Sequence, residues 1–113
     1  MSISTEDVLR NHLVAAKEGV DAIMQDYTDE SVLLTQGATY HGLDEIHQFF
    51  SALLDGLPTG FFDDFQMNRQ EVTGELAYIL WERKPWFPLA TDTFVVRNGK
   101  ILFQTFTACR AGG

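Results

Sequence analysis

Apolar residues recur at helical spacing in three segments of the first half of the chain. Ser4 or Thr5 is the predicted N-cap of the first helix, acids follow in its first turn, and the pattern continues to about Glu18. Gly19 ends this helix, and the segment GVDAIMQDY predicts a short second one. The segment GLDEIHQFFSALLDGL predicts the third helix, which stops at Gly56. Its apolar face comprises Leu43, Ile46, Phe50, Leu53 and Leu57.

Short β-rich segments precede the third helix and longer ones follow it. The segments SVLLT and ATYHG flank a Gln-Gly turn at 36–37, which predicts a small hairpin. From Phe61 onward the pattern predicts four long strands in an antiparallel meander. Their segments are FFDDFQMNRQEVT, ELAYILWERK, PLATDTFVVR and KILFQTFTACR.

Two prolines interrupt the pattern between the second and third of these long strands. Pro85 and Pro88 bracket Trp86 and Phe87, and proline does not support the ladder of a central strand. We therefore predict that both aromatic residues lie on a loop.

Helices followed by strands is the order of an α+β fold, in which helices pack on one face of a sheet. We predict three helices in the N-terminal half that cover the concave face of a curved antiparallel or mixed sheet. Long strands coil strongly, and the resulting concavity is where a ligand would bind.

The strand in ELAYILWERK is apolar on both faces. Leu76, Tyr78 and Leu80 alternate along it with Ala77, Ile79 and Trp81. Both faces therefore need cover, and three helices cover only one of them. We predict that the outer face of the sheet meets a second copy of the chain in a homodimer.

Composition and charge narrow the classes of partner. The 113 residues fit a single domain over 1–113, and the net charge of −8 disfavours nucleic acid and anionic membranes. The single cysteine, Cys109, cannot form an intrachain disulfide. We find no signal peptide and no apolar segment long enough to span a membrane, so we expect a cytoplasmic protein.

Several segments together are similar to a known superfamily. They are GVDAIMQDYTDESVLLTQG, YHGLDEIHQFF and DTFVVRNGKI, with the first helix and the terminal strand. From about Glu6 to Cys109 the chain resembles the nuclear transport factor 2-like superfamily, with its cystatin-like element order. Within it, the likeness is to the small SnoaL-like and ketosteroid-isomerase-like proteins. The resemblance implies a cone-shaped α+β barrel, a pocket between sheet and helices, and frequent dimers through the outer sheet face.

The resemblance also implies a site with three parts. An acid on a late strand, protonated so that it donates a hydrogen bond, aligns with Asp92. A hydroxyl donor on the first helix aligns with His12, and a carboxylate base at the end of the first strand aligns with Thr35. Threonine does not accept a proton near neutral pH, so this position departs from the family pattern.

The residues themselves leave two interpretations open for each candidate. Asp92 is either a buried acid that faces a ligand or a carboxylate that caps a strand end at the rim. His12 borders the apolar stripe of the first helix, so it is either a core histidine or a ligand-facing one. If both residues face a ligand, Asp92 and His12 are the predicted catalytic pair.

The register of the last hairpin decides which residues lie beside Asp92. A two-residue turn at Asn98-Gly99 places Asp92 opposite Thr105, whereas a three-residue loop with a glycine bulge places it opposite Gln104. We predict the second register, which the family's usual arrangement favours. The predicted substrate-binding residues are Thr35, Tyr40, Phe50, Trp81, Gln104 and Phe106.

Two functions fit this site. The first is a cofactor-independent isomerase, cyclase or dehydratase acting on a small hydrophobic carbonyl or hydroxyl compound. The second is a non-catalytic, dimeric module that binds a ligand in the same pocket. We predict no cofactor, and no metal, because His41 and His47 lack a familiar ligand spacing with any acid or cysteine.

Overall fold

The computed structural model describes residues 3–110, and its elements follow the predicted order. Residues 1–2 and 111–113 of the predicted single domain lie outside the described residues. The helices are α1 (Thr5–Glu18), α2 (Val20–Met24) and α3 (Gly42–Asp55), with a 3-10 turn at Phe61–Asp63. The strands are β1 (Val32–Thr35), β2 (Thr39–His41), β3 (Gln66–Thr73), β4 (Leu76–Arg83), β5 (Phe87–Arg97) and β6 (Lys100–Cys109).

Local capping explains where α1 begins and ends. The Ser4 hydroxyl accepts a hydrogen bond from the Asp7 backbone N–H at 3.1 Å, as an N-cap does. Gly19 has φ +117°, a conformation that favours glycine, and its N–H donates to the Ala15 carbonyl. The chain turns here into α2, which places residues 25–28 beside α1 and the sheet.

The six strands form one mixed sheet in the order β2-β1-β6-β5-β4-β3. The predicted antiparallel meander is correct for β3 to β6, but β1 joins β6 in parallel and brings the β1–β2 hairpin into the same sheet. The strands β2 and β3 are open edges, so the curved sheet does not close into the barrel that the resemblance implies. The helices pack on one side, which we call the inner face; the other side is the outer face.

Two strand boundaries differ from the prediction because aromatic residues pack together. The first long strand starts at Gln66 and not at Phe61, since Phe61 is buried against the Phe87 ring at 5.3 Å between centroids. Phe87 is 1% exposed and begins β5, so its predicted place on a loop is wrong. Trp86 does lie in the turn and is 39% exposed.

The last hairpin has neither of the registers considered from the sequence. Asn98 and Gly99 have φ values of +54° and +76° and form a two-residue turn, so Arg97 pairs with Lys100. A bulge follows, because Val96 pairs with Ile101 whereas Val95 pairs with Phe103. The extra residue lies on β6, which moves the pairing in the direction opposite to the predicted one.

None of the helices in residues 3–110 is both long and apolar enough to cross a membrane.

The core lies between the inner face and the helices, where the buried apolar side chains form one cluster. The outer face keeps several large apolar side chains in solvent. They are Leu34, Leu76, Leu89 and Phe103, each 43–47% exposed.

Candidate functional site

Asp92 lies in the middle of the inner face and is 6% exposed. It pairs with Ile79 on β4 and with Phe106 on β6. Trp81 and Gln104 are each two residues from these partners, so they share its face as diagonal neighbours within reach of long side chains. The Trp81 indole Nε1–H donates to Asp92 Oδ2 at 2.8 Å, and Gln104 Nε2 donates to Oδ1 at 3.0 Å.

The hydrogen bonds around Asp92 all run toward its carboxyl group. The Tyr27 hydroxyl donates to Gln104 Oε1, which leaves the Gln104 amide nitrogen to face Asp92. The Trp81 indole is a donor only. Each carboxyl oxygen therefore meets an N–H, and a proton on Asp92 has no acceptor in Trp81 or Gln104. Such a proton points away from both side chains.

Burial sets the electrostatics of this network. It raises the pKa of Asp92 to about 6, although the hydrogen bonds from Trp81 and Gln104 and the attraction of His12 oppose the rise. Burial, and then the negative charges of Asp92 and Asp26, raise the pKa of the Tyr27 hydroxyl well above its ordinary value. Tyr27 thus stays a neutral donor, while Asp92 exchanges its proton near physiological pH.

His12 forms a second polar unit across from Asp92. Its Nδ1 lies 2.9 Å from Asp26 Oδ2, with the histidine side chain 9% and the aspartate side chain 15% exposed. When the imidazole is neutral, the Asp26 carboxylate accepts from Nδ1–H, and Nε2 has a free lone pair. The ring packs edge-on against Phe94, with centroids 5.5 Å apart. Within residues 3–110, Nε2 has no hydrogen-bond partner.

One small cavity connects the two units. It measures about 60 Å³, and both His12 and Asp92 line it together with Gln104 and Trp81. The rest of its lining is apolar, with five phenylalanines among the residues that form it: Phe50, Phe62, Phe65, Phe94 and Phe106. Acid and histidine thus face the same largely apolar space, whose low polarity strengthens electrostatic interactions inside it.

The sequence matches no family model and no curated protein, whereas the fold matches that of several solved structures. A nuclear transport factor 2-like protein of unknown function from Burkholderia xenovorans is 20% identical, with a TM-score of 0.72 over 96% of this chain and 85% of that one. A SnoaL-like polyketide cyclase candidate from Shewanella putrefaciens is 14% identical, with a TM-score of 0.73 over 92% and 88% of the two chains. The chain has the nuclear transport factor 2-like fold.

Other structures with this fold extend the comparison. A protein with a ketosteroid isomerase-like fold from Catenulispora acidiphila, solved with trimethylamine, is 12% identical, with a TM-score of 0.67 over 88% of this chain and 83% of that one. Identities this low establish the fold and leave the reaction to the site itself. The fold that the resemblance implies is thus confirmed.

Two predicted substrate-binding residues lie outside the cavity beside Asp92. The Thr35 hydroxyl accepts hydrogen bonds from the backbone N–H groups of Gly37 and Ala38, at 3.2 and 3.1 Å, and so holds the β1–β2 turn. Tyr40 lies on the edge strand β2 and packs on Phe49, with ring centroids 4.9 Å apart. The other predicted residues, namely His12, Phe50, Trp81, Asp92, Gln104 and Phe106, all line the cavity.

Sequence reasoning missed Asp26 and Tyr27, which follow α2. Both complete the polar units, Asp26 as the partner of His12 and Tyr27 as the donor to Gln104. The available signal was the requirement that a buried histidine or glutamine finds a hydrogen-bond partner. In the described part of the chain every side-chain nitrogen or oxygen atom that is itself fully buried has a hydrogen-bond partner, and no cluster of three acids, histidines or cysteines is arranged to hold a metal ion.

Proposed function

We propose that this protein is a cofactor-independent acid/base enzyme that isomerises, cyclises or dehydrates a small hydrophobic carbonyl or hydroxyl compound. One observation carries the proposal: Asp92 and the His12–Asp26 pair line the same apolar cavity. Enzymes of this kind need a base and a hydrogen-bond donor whose environments separate their proton affinities. The solved structures described as SnoaL-like or ketosteroid isomerase-like share the fold and make the proposal consistent with it.

In this proposal His12 is the base. Asp26 accepts from Nδ1–H, which selects the tautomer whose Nε2 takes a proton. Asp26 also stabilises the imidazolium that forms when Nε2 is protonated. His12 would therefore supply the base that the resemblance places at Thr35.

Asp92 is the hydrogen-bond donor in its protonated form. Its two oxygens already accept from Trp81 and Gln104, so its proton is available to a ligand in the cavity. The pKa of about 6 means that the free protein holds this proton on a minority of molecules at neutral pH. An apolar ligand that displaces water raises the pKa of Asp92 further and increases that fraction.

For a β,γ-unsaturated ketone the steps balance without any further reactant. His12 Nε2 removes a proton from the carbon between the carbonyl and the double bond, and the C–H electron pair enters a dienolate. The charge collects on the carbonyl oxygen, which accepts a hydrogen bond from Asp92. His12 then returns the proton to the γ carbon, which gives the conjugated ketone and restores both residues.

Isomerisation of a β,γ-unsaturated cyclohexenone, followed by the ultraviolet absorbance of its conjugated product, tests this function. The ring of this ketone is larger than the cavity of about 60 Å³, so its binding requires lining side chains such as Leu53 and Phe106 to rotate. We expect His12→Ala to lower kcat by roughly 10²–10⁴-fold and Asp92→Asn by roughly 10²-fold. The matched control His47→Ala changes an exposed histidine on α3 and should keep the native rate.

The same experiment decides between the enzyme and the non-catalytic binding module. The module is favoured by one observation: Thr35, at the position of the family's base, holds a turn outside the cavity. If NMR shows the ketone in the cavity while conversion stays at the buffer rate, the protein is a binding module and not this enzyme.

We further propose that the outer face pairs with a second copy of the chain. Its two central strands, β5 and β6, present no charged side chain there between Thr91 and Val95 or between Phe103 and Thr107. Val32, Phe103, Val95 and Leu76 form one apolar row across four strands. Sedimentation should give twice the 12.8 kDa chain mass, and Phe103→Lys should give the monomer. A native monomer at micromolar concentration would refute the pairing.

A further inference from the structure

A second cavity lies next to the one beside Asp92, at the end of the sheet where β6 finishes. It measures about 290 Å³, and Phe49, Leu53, Phe87 and Phe106 form its apolar walls. Thr35 and Gln36 from the β1–β2 turn form part of its rim. A space of this size accommodates a short alkyl chain, which the small cavity beside Asp92 does not.

The two cavities share two walls. Leu53 and Phe106 line both of them, so these two side chains separate the larger cavity from Asp92. Both are side chains with alternative rotamers, and neither is held by a hydrogen bond. A rotation of either one would let an elongated apolar ligand reach Asp92 from the second cavity.

Arg110 is the one charged side chain that lines the second cavity within the described residues. Its guanidinium lies 5.4 Å from the centroid of the Phe87 ring. Three other arginines pair with acids, as Arg10 does with Glu6 and Arg97 with Glu75, whereas Arg83 stacks on the Trp86 ring. No carboxylate in residues 3–110 lies within 4.0 Å of the Arg110 guanidinium, although the chain carries a net charge of −8.

A guanidinium at the edge of an apolar cavity recognises an anion attached to an apolar body. Arginine presents a planar fork of N–H donors that matches a carboxylate or a phosphate. The net charge of −8 repels a phosphate dianion more strongly than a monoanion, and one arginine does not offset two charges. These two facts favour a carboxylate.

We propose that Arg110 binds the carboxylate of an elongated apolar ligand whose body fills the second cavity and extends toward Asp92. This inference rests on the proposed function only in taking the cavity beside Asp92 as the reaction site. It assigns the substrate class: an apolar carboxylic acid that carries the reacting carbonyl or hydroxyl group at a distance from its carboxylate.

Binding of octanoate and octanol, measured by calorimetry near pH 7.5, tests the assignment because the two probes share one chain and differ in charge. We expect octanoate to bind about tenfold more tightly than octanol, and Arg110→Gln to abolish this preference while leaving octanol unchanged. Arg110→Lys should keep part of the preference. Arg69→Gln, which removes an exposed charge on β3, is the matched control and should behave as the native chain.

Each other outcome overturns the assignment. Equal binding of the two probes, no binding of either, or a preference that survives Arg110→Gln shows that Arg110 does not select a carboxylate. Octyl phosphate is the third probe, and tighter binding than octanoate would assign a phosphate in its place. The comparison of octanoate with octanol measures binding without turnover, so its failure is distinguishable from failure of the proposed acid/base chemistry, which the isomerisation of the uncharged cyclohexenone tests.

Discussion

The indole N–H of Trp81 donates to Asp92 Oδ2 at 2.8 Å from the neighbouring strand. A hydrogen bond to a carboxylate stabilises its charged form, so this contact limits how far burial raises the pKa of Asp92. Trp81 therefore keeps the pKa of Asp92 close to physiological pH. Its ring also stacks on Phe106, with centroids 6.4 Å apart and an interplanar angle of 12°, so the donor is held in place.

Replacing Trp81 by phenylalanine should raise the pKa of Asp92 further. A hydrogen bond to a charged group contributes about 1.5–3 kcal/mol, which corresponds to roughly one to two pKa units. A titration of the Asp92 side-chain carboxyl by carbon-13 NMR measures the shift. Trp86→Phe, in the turn before β5, removes an indole without touching Asp92 and should leave the titration unchanged. An unchanged titration in Trp81→Phe would show that the indole does not tune the acid.

The architecture was largely predictable because local patterns determine it. Gly19 and Gly56 end helices whose apolar faces are regular, and the long β segments predict the sheet. The parallel pairing of β1 with β6 was not predicted as such, since it joins residues about seventy positions apart in the chain and no local pattern specifies it. The bulge on β6 also lacks a signature, because a single inserted residue changes the register without changing composition.

Six of the predicted residues line the cavity beside Asp92, but the hydrogen bonds around them were not predictable. Asp92, Gln104 and Phe106 share the inner face because residues of equal parity lie on one side of a strand, even though the predicted register was wrong. Asp26 and Tyr27 follow a short helix whose direction depends on how it packs, so their contacts with His12 and Gln104 required the tertiary structure. Thr35 showed the reverse: its strand was correct, but its side chain serves the turn.

The raised pKa of Asp92 should make stability depend on pH in a defined direction. The folded protein binds a proton with a pKa of about 6, whereas the ordinary value is 3.8, so the folded state holds more protons between these values. This contribution to stability is fully present below about 3.8, is lost as the pH rises through about 6, and is absent above it. The free energy of unfolding that Asp92 contributes below about pH 3.8, and that is lost above about pH 6, amounts to roughly 3 kcal/mol.

Urea unfolding of the native chain and of Asp92→Asn at several pH values isolates this contribution. Asparagine does not titrate, so the stability of the variant relative to the native chain should rise between pH 4 and pH 6 and stay constant above about pH 7. Asp44→Asn, an exposed acid in the first turn of α3, serves as the control for loss of a surface charge. A flat difference for Asp92→Asn over this range would contradict a raised pKa.

Asp26 should act as a positioning residue for His12. In Asp26→Asn the amide group is able to donate to Nδ1, which places the ring proton on Nε2 and removes the lone pair that faces the cavity. We expect kcat for the cyclohexenone to fall by roughly 10²–10⁴-fold with little change in KM. Nitrogen-15 NMR of the imidazole reports the tautomer directly, which a purely structural role would leave unchanged. If Asp26→Asn kept both the native tautomer of His12 and the native kcat, Asp26 would have no positioning role.

Tyr27 should stabilise the fold through its hydroxyl, because that group fixes which way the Gln104 amide points. In Tyr27→Phe the buried Gln104 Oε1 loses its donor, and an unsatisfied buried polar atom costs about 1–3 kcal/mol. The free energy of unfolding from urea titration should fall by that amount. Tyr78→Phe removes a hydroxyl from a half-buried tyrosine on β4 and should change stability by less than about 0.5 kcal/mol.

The amide of Gln104 is also free to rotate in Tyr27→Phe, which would turn its oxygen toward Asp92 and favour the protonated acid. A loss of stability together with a higher pKa of Asp92 would therefore establish that Tyr27 acts on the acid through Gln104, and a loss of stability alone would limit the Tyr27 hydroxyl to a structural hydrogen bond with Gln104.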